Sequence, residues 1–406
     1  MAAQSGRAAG RRLLKAVGLA CPDVPPAEAL CEVLSGPIDW MYTLRAGADH
    51  CVLPLLERAL AGAPDAAAMI PADVRQAVQI ATLESAAGTQ RQLAVLRTLL
   101  AAFEARGIPV LVLKGLTLAA LYPAPHLRPA DDIDLLVREE DWAAVVDALR
   151  GAGLQPLGRR AVAERLPAAL VLHLACYVVE GQVQYAGPDR VLVEVHFRLV
   201  NKGLHGLREE AWERRRVQRV GAFDVPTISR EDAIVTQAMH MNEHAFSRLI
   251  WFVDLALMLR GWRHAVDWDW IVRRARTLRV DLSLALAVDL LRRLGVELDG
   301  VPAPGEISRA GPMRRWWFNR WWCPAAILRF EHAPAFGRGS VSYYLNYRAT
   351  WCDGFRYVFR GLWPPRACLG GESRRSYLRR FARHWDARLA RALGLGDGAR
   401  VRPGPA

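Results

Sequence analysis

Apolar residues in the first hundred positions recur at intervals of three and four, the pattern of helices that bury one face. Residues 38–62, "IDWMYTLRAGADHCVLPLLERALAG", carry it, and Pro64 and Pro71 punctuate the short stretch after them. Residues 74–107 form a long amphipathic stretch, open to a break at Gly88 and ending at Gly107 as a C-cap. The spacing then changes. "IPVLVLKG" (108–115) is a short continuous apolar run bounded by proline and glycine, which predicts a buried strand. "LTLAALYP" makes a short helix stopped by Pro123, "DIDLLV" (132–137) a second strand, and residues 139–154 a helix ending near Gly151 or Gly153. Residues 173–180 and 190–200 predict two further strands, with "GQVQYAGPD" as the turn between them. From Ser229 to Gly261 the period is helical again, opened by a cap at Ser229 and Asp232.

This order predicts an α+β fold: a small mixed-sheet core flanked by N-terminal and C-terminal helical regions. The expected divisions are a helical region at 1–92, the core at 93–225, a helical domain at 226–310 and an Arg/Trp-rich region at 311–406. The tail after Leu395 is expected to be disordered. Composition narrows the class. A hydrophobic content of 52% and a mean hydropathy of +0.05 belong to a globular chain. No apolar run approaches the roughly 18 residues of a membrane span. "GRRLLKAVGLAC" briefly resembles an export signal, but its apolar stretch is short and holds Lys15, so a cytoplasmic location is expected. Seven scattered cysteines without a C-x-x-C pair fit reduced thiols and no structural zinc. The net charge of +13 implies attraction to polyanions. Arginine supplies nearly all of it; coding bias accounts for that excess and gives Lys15, Lys114 and Lys202 more weight.

Against this basic background, "RPADDIDLLV" (128–137) is conspicuously acidic. Alternation along a strand puts Asp132 and Asp134 on one face and Ile133 and Leu135 on the other, leaving Asp131 as a turn or cap residue. Two carboxylates so spaced can hold divalent cations, and oxygen-only ligands favour Mg2+ or Mn2+ over zinc. Metal pairs of this kind stabilise the attacking and leaving oxygens of phosphoryl or nucleotidyl transfer. A third carboxylate is available in "VLVEVHFRL": Glu194 shares a face with His196 and Arg198, opposite the valines. If this strand lies beside "DIDLLV", Glu194 completes the set and helps activate an acceptor hydroxyl. His196 then orients Glu194, contacts phosphate or simply finishes the strand. Lys114 and Gly115 end the preceding strand, where exposed amides and a helix N-terminus suit a triphosphate. Arg128 reaches either the triphosphate or Asp131.

The run "GIPVLVLKG…LYPAPHLRPADDIDLLVREED", followed by "LVEVHFRL", resembles the uncharacterised bacterial nucleotidyltransferase family of the DNA polymerase β-like superfamily. The resemblance extends over roughly residues 38–260, including "DWMYTLRAGADHCVLPLLERAL" and "AMHMNEHAFSRLIWFVDLALML". It implies a two-metal mechanism in which Asp132 and Asp134 are the metal-binding aspartates. Glu194 stands where an aspartate is more usual, and Lys114–Gly115 stands where broader superfamily members carry Gly-Ser. The expected activity is transfer of a nucleoside monophosphate from a nucleoside triphosphate to a hydroxyl or phosphate, with pyrophosphate released. A small molecule, a peptide or a protein could be the acceptor. The alternative is a catalytically weak or inactive nucleotide-binding or scaffolding module of the same fold.

Other marked residues have plainer readings. His240 and His244 are spaced for one helix face but lack an acidic co-ligand, so helix histidines or nucleotide contacts are expected rather than zinc. Asp254, among apolar residues, is expected to pair with Arg248. "MRRWWFNRWW" (313–322) is read as core, with base stacking, partner binding or peripheral contact with an anionic surface as the alternatives. Nothing resembles a helix-turn-helix, an RNA-recognition motif or a P-loop, so nucleic acid is not expected as a partner.

Overall fold

The computed structural model describes residues 2–157, 182–187, 190–197, 199, 208–244 and 246–311, together with 313, 373, 375 and 376. The expected strand at 173–180, Arg198, the tryptophans of "MRRWWFNRWW" and the C-terminal tail lie outside them.

The chain opens with helices α1 (Ala2–Ala20), α2 (Ala27–Leu34), α3 (Trp40–Asp49), α4 (Leu53–Ala61), α5 (Pro64–Ala68) and α6 (Ala72–Glu104). Helix α6 runs unbroken through Gly88, where a break was anticipated. A mid-helix glycine costs only about 1 kcal/mol, and the buried Thr89, Gln92, Leu96, Leu99 and Phe103 beyond it anchor the C-terminal half. Next come β1 (Val110–Val112), the single-turn α7 (Leu116–Ala119), β2 (Asp132–Val137), α8 (Trp142–Gly151), β3 (Gln155–Pro156), β4 (Gln182–Ala186) and β5 (Leu192–His196). Helix α9 (Arg208–Glu213) leads to the hairpin β6 (Arg216–Val220) and β7 (Phe223–Thr227). The described chain ends with α10 (Arg230–Glu243), α11 (Leu249–Gly261), α12 (Trp268–Thr277), α13 (Asp281–Arg293) and α14 (Pro304–Ile307).

The fold is α+β, with one mixed seven-stranded sheet in the order β3-β4-β5-β2-β1-β7-β6. Strand β2 pairs antiparallel with β1 and parallel with β5, and β1 pairs parallel with β7. Three sequence expectations change here. Residues 182–186, expected as part of a turn, form β4, because "QVQYA" alternates and buries Val183 and Tyr185. The hairpin β6–β7 was not anticipated; its tight turn at Gly221, with a positive φ of 59°, is the signal available. The stretch 229–261 splits into α10 and α11 around Phe246, which is fully buried at a φ of +53°. The Ser229 cap forms as expected, its hydroxyl accepting the Asp232 amide.

Burial is two-sided and uneven. Ile133, Leu135, Val137, Val193 and Val195 point to one face, into a core with α6 and α8. On the other face Leu111, Leu113 and Leu136 meet Trp212 of α9 and Ile228. The N-terminal and C-terminal helices share a further core, in which Gly18 of α1 lies against Leu249 and Val253 of α11.

One buried cluster ties those helices to the loop preceding β2. Arg128 donates from Nε to Asp254 Oδ1 and from Nη2 to Oδ2, both at 2.8 Å, and Tyr122 Oη donates to Oδ1 at 2.8 Å. Gln92 and Ser85 of α6 hold the same loop through the carbonyls of Ala130 and His126. The expected Arg248–Asp254 pair is therefore replaced: Asp254 takes Arg128, and Arg248 takes Asp131 at 2.9 Å. Arg248 is the N-cap residue of α11, in extended backbone with φ −117° and ψ 132°, so its side chain turns out to Asp131 instead of following the helix face that carries Asp254.

Breaking a buried pair strands a charge in a low dielectric. Asp254→Ala should cost about 3–5 kcal/mol in denaturant unfolding, whereas Arg219→Ala, at the exposed Asp224 pair, should leave the midpoint unchanged.

Candidate functional site

Parallel pairing of β2 with β5 sets Asp134 opposite Glu194 and Leu136 opposite His196. Asp132, Asp134, Glu194 and His196 thus share the sheet face away from the α6–α8 core. The pleat does this: the intervening Ile133, Leu135, Val193 and Val195 are held in the opposite core by their own burial. Asp134 is fully buried, Glu194 and His196 nearly so, and Asp132 is partly covered at the strand's entry. Ligand atoms of Asp134, Glu194 and His196 all lie within 4.8 Å of one another.

Asp134 is the centre of this group. Its Oδ1 receives Lys114 Nζ and His196 Nε2, each at 2.8 Å. Lys114 is placed by β1, whose antiparallel register brings the Leu113 amide onto the Asp134 carbonyl at 2.9 Å. Gly115 then turns the chain at a positive φ of 65°, and a Cβ there would stand 3.3 Å from the Asp132 carbonyl oxygen. A side chain at this position would strain the backbone and crowd the strand. The helix after it is only four residues long.

Sequence reasoning missed Gln184. Strand β4 sets it opposite Glu194, and its amide donates to Glu194 Oε1. The polar–apolar alternation of "QVQYA" carries the signal, hidden by the neighbouring glycines and proline. His196 stands 2.8 Å from Asp134 and 3.8 Å from Glu194, so it orients Asp134 rather than Glu194. Arg128 is not brought to the cluster; its guanidinium is committed to Asp254. His240 and His244 pack with tilted rings against each other, at a centroid distance of 4.4 Å, and against Trp251, each at 4.9 Å.

The electrostatics divide the two aspartates. Burial alone would favour a neutral Asp134, but Lys114 and His196 outweigh it and hold the carboxyl well below the usual range. Burial and the neighbouring Asp134 charge push Asp132 the other way, up to about 7. Burial likewise works against the Lys114 charge, and Asp134 and Asp132 more than restore it. One polar atom stays unmatched: Asp134 Oδ2 is buried and, among the described residues, accepts no hydrogen bond. An acceptor-only atom in that position carries a desolvation cost unless a cation meets it. The donor atoms that converge are two carboxylates, Asp134 and Glu194, and the imidazole of His196, with Asp132 on the same face of the strand, a set able to hold a divalent cation.

A proton on Asp132 then becomes a measurable quantity. Between its unfolded value near 4 and about 7, the metal-free folded protein holds a proton that the unfolded chain lacks. This contribution to stability falls as pH rises through that window and levels off above it. A divalent cation must displace the same proton, so its affinity rises over that range. Thermal melts from pH 5 to 8 should show both trends, with Mn2+ raising the midpoint most at pH 8. Both should flatten in Asp132→Asn; a slope that persists there would assign the proton elsewhere.

No described helix is long and apolar enough to cross a membrane. No curated protein matches the chain. Among solved structures, an antigenic nucleotidyltransferase-like protein from Paracoccidioides brasiliensis is similar at 14% identity, over 50% of this chain and 93% of that one, with a TM-score of 0.30. A protein family described as an uncharacterised nucleotidyltransferase matches residues 36–295, a span holding the whole acidic cluster and the helices from α3 to α13. The chain belongs to that uncharacterised nucleotidyltransferase family.

Proposed function

We propose that the protein is a divalent-metal-dependent nucleotidyltransferase that moves a nucleoside monophosphate from a nucleoside triphosphate to a hydroxyl or phosphate acceptor. The observation that carries this reading is the three-carboxylate face of β2 and β5, with buried Asp134 Oδ2 unmatched, in a chain of this family. Placement within the DNA polymerase β-like superfamily rests on the motif resemblance.

In the proposed reaction an acceptor oxygen forms a bond to the α-phosphorus. The bond from that phosphorus to the α–β bridging oxygen breaks, and pyrophosphate leaves with the electron pair. Asp132, Asp134 and Glu194 would hold Mg2+ or Mn2+, which when bound supplies positive charge for the developing phosphate oxygens. The chain's own groups prepare the site. Lys114 and His196 hold Asp134 in the ionised state through Oδ1 alone. Gln184 braces Glu194 through one oxygen. Glu194 takes up the acceptor's proton as the new bond forms. Lys114, beside the carboxylates, is positioned to counter phosphate charge. The acceptor is a small molecule, a peptide or a protein side chain.

Two features favour the second reading, a nucleotide-binding module with little or no turnover. Lys114 already neutralises Asp134, and Glu194 lengthens the arm where an aspartate is more usual. Turnover separates the two. Incubated with nucleoside triphosphates, Mg2+ or Mn2+ and a broad set of acceptors, the wild type should release pyrophosphate and label an acceptor. Transition-state stabilisation by a metal amounts to several kcal/mol, so Asp132→Asn and Asp134→Asn should each lose about a thousandfold in rate. Binding without turnover across the acceptor set would establish the module instead.

A further inference from the structure

Two arginines flank the acidic motif, and the structure gives them opposite circumstances. Arg128 is buried, with Nε and Nη2 both donating to the carboxylate of Asp254, itself fully buried. Arg248 is 39% exposed, and its partner Asp131 is 70% exposed. Asp131 is the immediate neighbour of Asp132, so the Arg248 guanidinium stands at the entrance to the carboxylate face. Burial opposes its charge there, while Cys51, Asp131 and Asp132 together favour it.

The surroundings hold Arg248 in place without using up its donors. It precedes α11, whose first amides are already satisfied: Leu249 donates to His50 Nδ1 at 3.0 Å and Ile250 to the His50 carbonyl at 3.3 Å. Anion binding at this point therefore falls to the side chain rather than the helix end. The guanidinium lies 5.6 Å from the centroid of the Trp251 ring, and that ring is backed by His240 and His244. A planar cation braced on an indole keeps its outer edge for a bidentate anion.

We propose that Arg248 is the arginine that binds the polyphosphate of the nucleoside triphosphate, exchanging the Asp131 carboxylate for phosphate oxygens. This rests on the nucleotidyltransferase reading and assigns one of its binding residues. The exchange is permitted because an exposed ion pair contributes little, while phosphate offers a guanidinium two charge-assisted hydrogen bonds. Arg128 has no comparable exchange open to it, since leaving Asp254 would strand a buried carboxylate. Asp131 becomes a placeholder that holds Arg248 extended toward the site until the anion arrives.

The test is a mutant cycle read by calorimetric binding of Mg–ATP and of inorganic tripolyphosphate, the latter isolating the phosphate contribution. Arg248→Ala should weaken both ligands by about ten- to a hundredfold, and Arg248→Lys should fall between it and wild type. Asp131→Asn should tighten both several-fold, and the gain should vanish when combined with Arg248→Ala. Thermal midpoints should move little, since the Arg248–Asp131 pair is partly exposed and such pairs contribute little. Unchanged affinity in Arg248→Ala, or an equal gain from Asp131→Asn in both backgrounds, would overturn the assignment while leaving the catalytic reading intact. Failure of wild type to bind either ligand would remove both.

Discussion

Like charge forced onto one face of two neighbouring strands is the constraint around which this protein is organised. Asp134 and Glu194 present oxygens within 4.8 Å of each other, and at an effective dielectric near 20 two such charges repel by more than about 3 kcal/mol. Asp132 adds a third once the pH passes about 7. Lys114 and His196 answer part of this on one oxygen of Asp134 and leave the other, among the described residues, without a hydrogen bond. The strands cannot relieve the crowding by slipping, because a one-residue shift would carry Ile133, Leu135, Val193 and Val195 out of their core. Hydrophobic burial on one face therefore fixes electrostatic frustration on the other.

The remaining architecture serves to hold that arrangement still. Strand β1 delivers Lys114, Gly115 lets the chain turn close beside Asp132, and β4 brings Gln184 against Glu194. The loop before β2 is fastened from two directions, by Ser85 and Gln92 of the long helix and by Asp254 through Arg128. That second fastening makes the C-terminal helices part of the site's support although they contribute no carboxylate to it. The division between Asp132 and Asp134 is a direct result. The aspartate with two cationic partners ionises readily, while its neighbour holds its proton up to about pH 7.

Much of this could be read from the residues. The alternation of "DIDLLV" and "LVEVHF" places the carboxylates on one face without any structure, and a parallel pairing of the two strands was the only further condition. What could not be read was partnership at a distance. Arg128 and Asp254 are 126 positions apart, and no local pattern distinguishes that pair from Arg248 with Asp254; only the extended backbone at Arg248 and the reach of the loop decide it. Gln184 was hidden for a different reason. Its strand is short and bounded by glycine and proline, so turn chemistry masked a five-residue alternation that tertiary burial of Val183 and Tyr185 makes a strand. The same competition, burial overriding a local signal, carried α6 through Gly88.

Everything proposed for the cluster depends on the unmatched oxygen of Asp134 being a metal ligand. Crystals grown with Mn2+ and a non-hydrolysable nucleoside triphosphate analogue, measured for anomalous scattering at the manganese edge, address this directly. The expected result is an anomalous peak bounded by Asp132, Asp134 Oδ2 and Glu194, with the analogue's phosphates beside it. An empty cluster at saturating Mn2+ and analogue, with Asp134 still held only by Lys114 and His196, would contradict it.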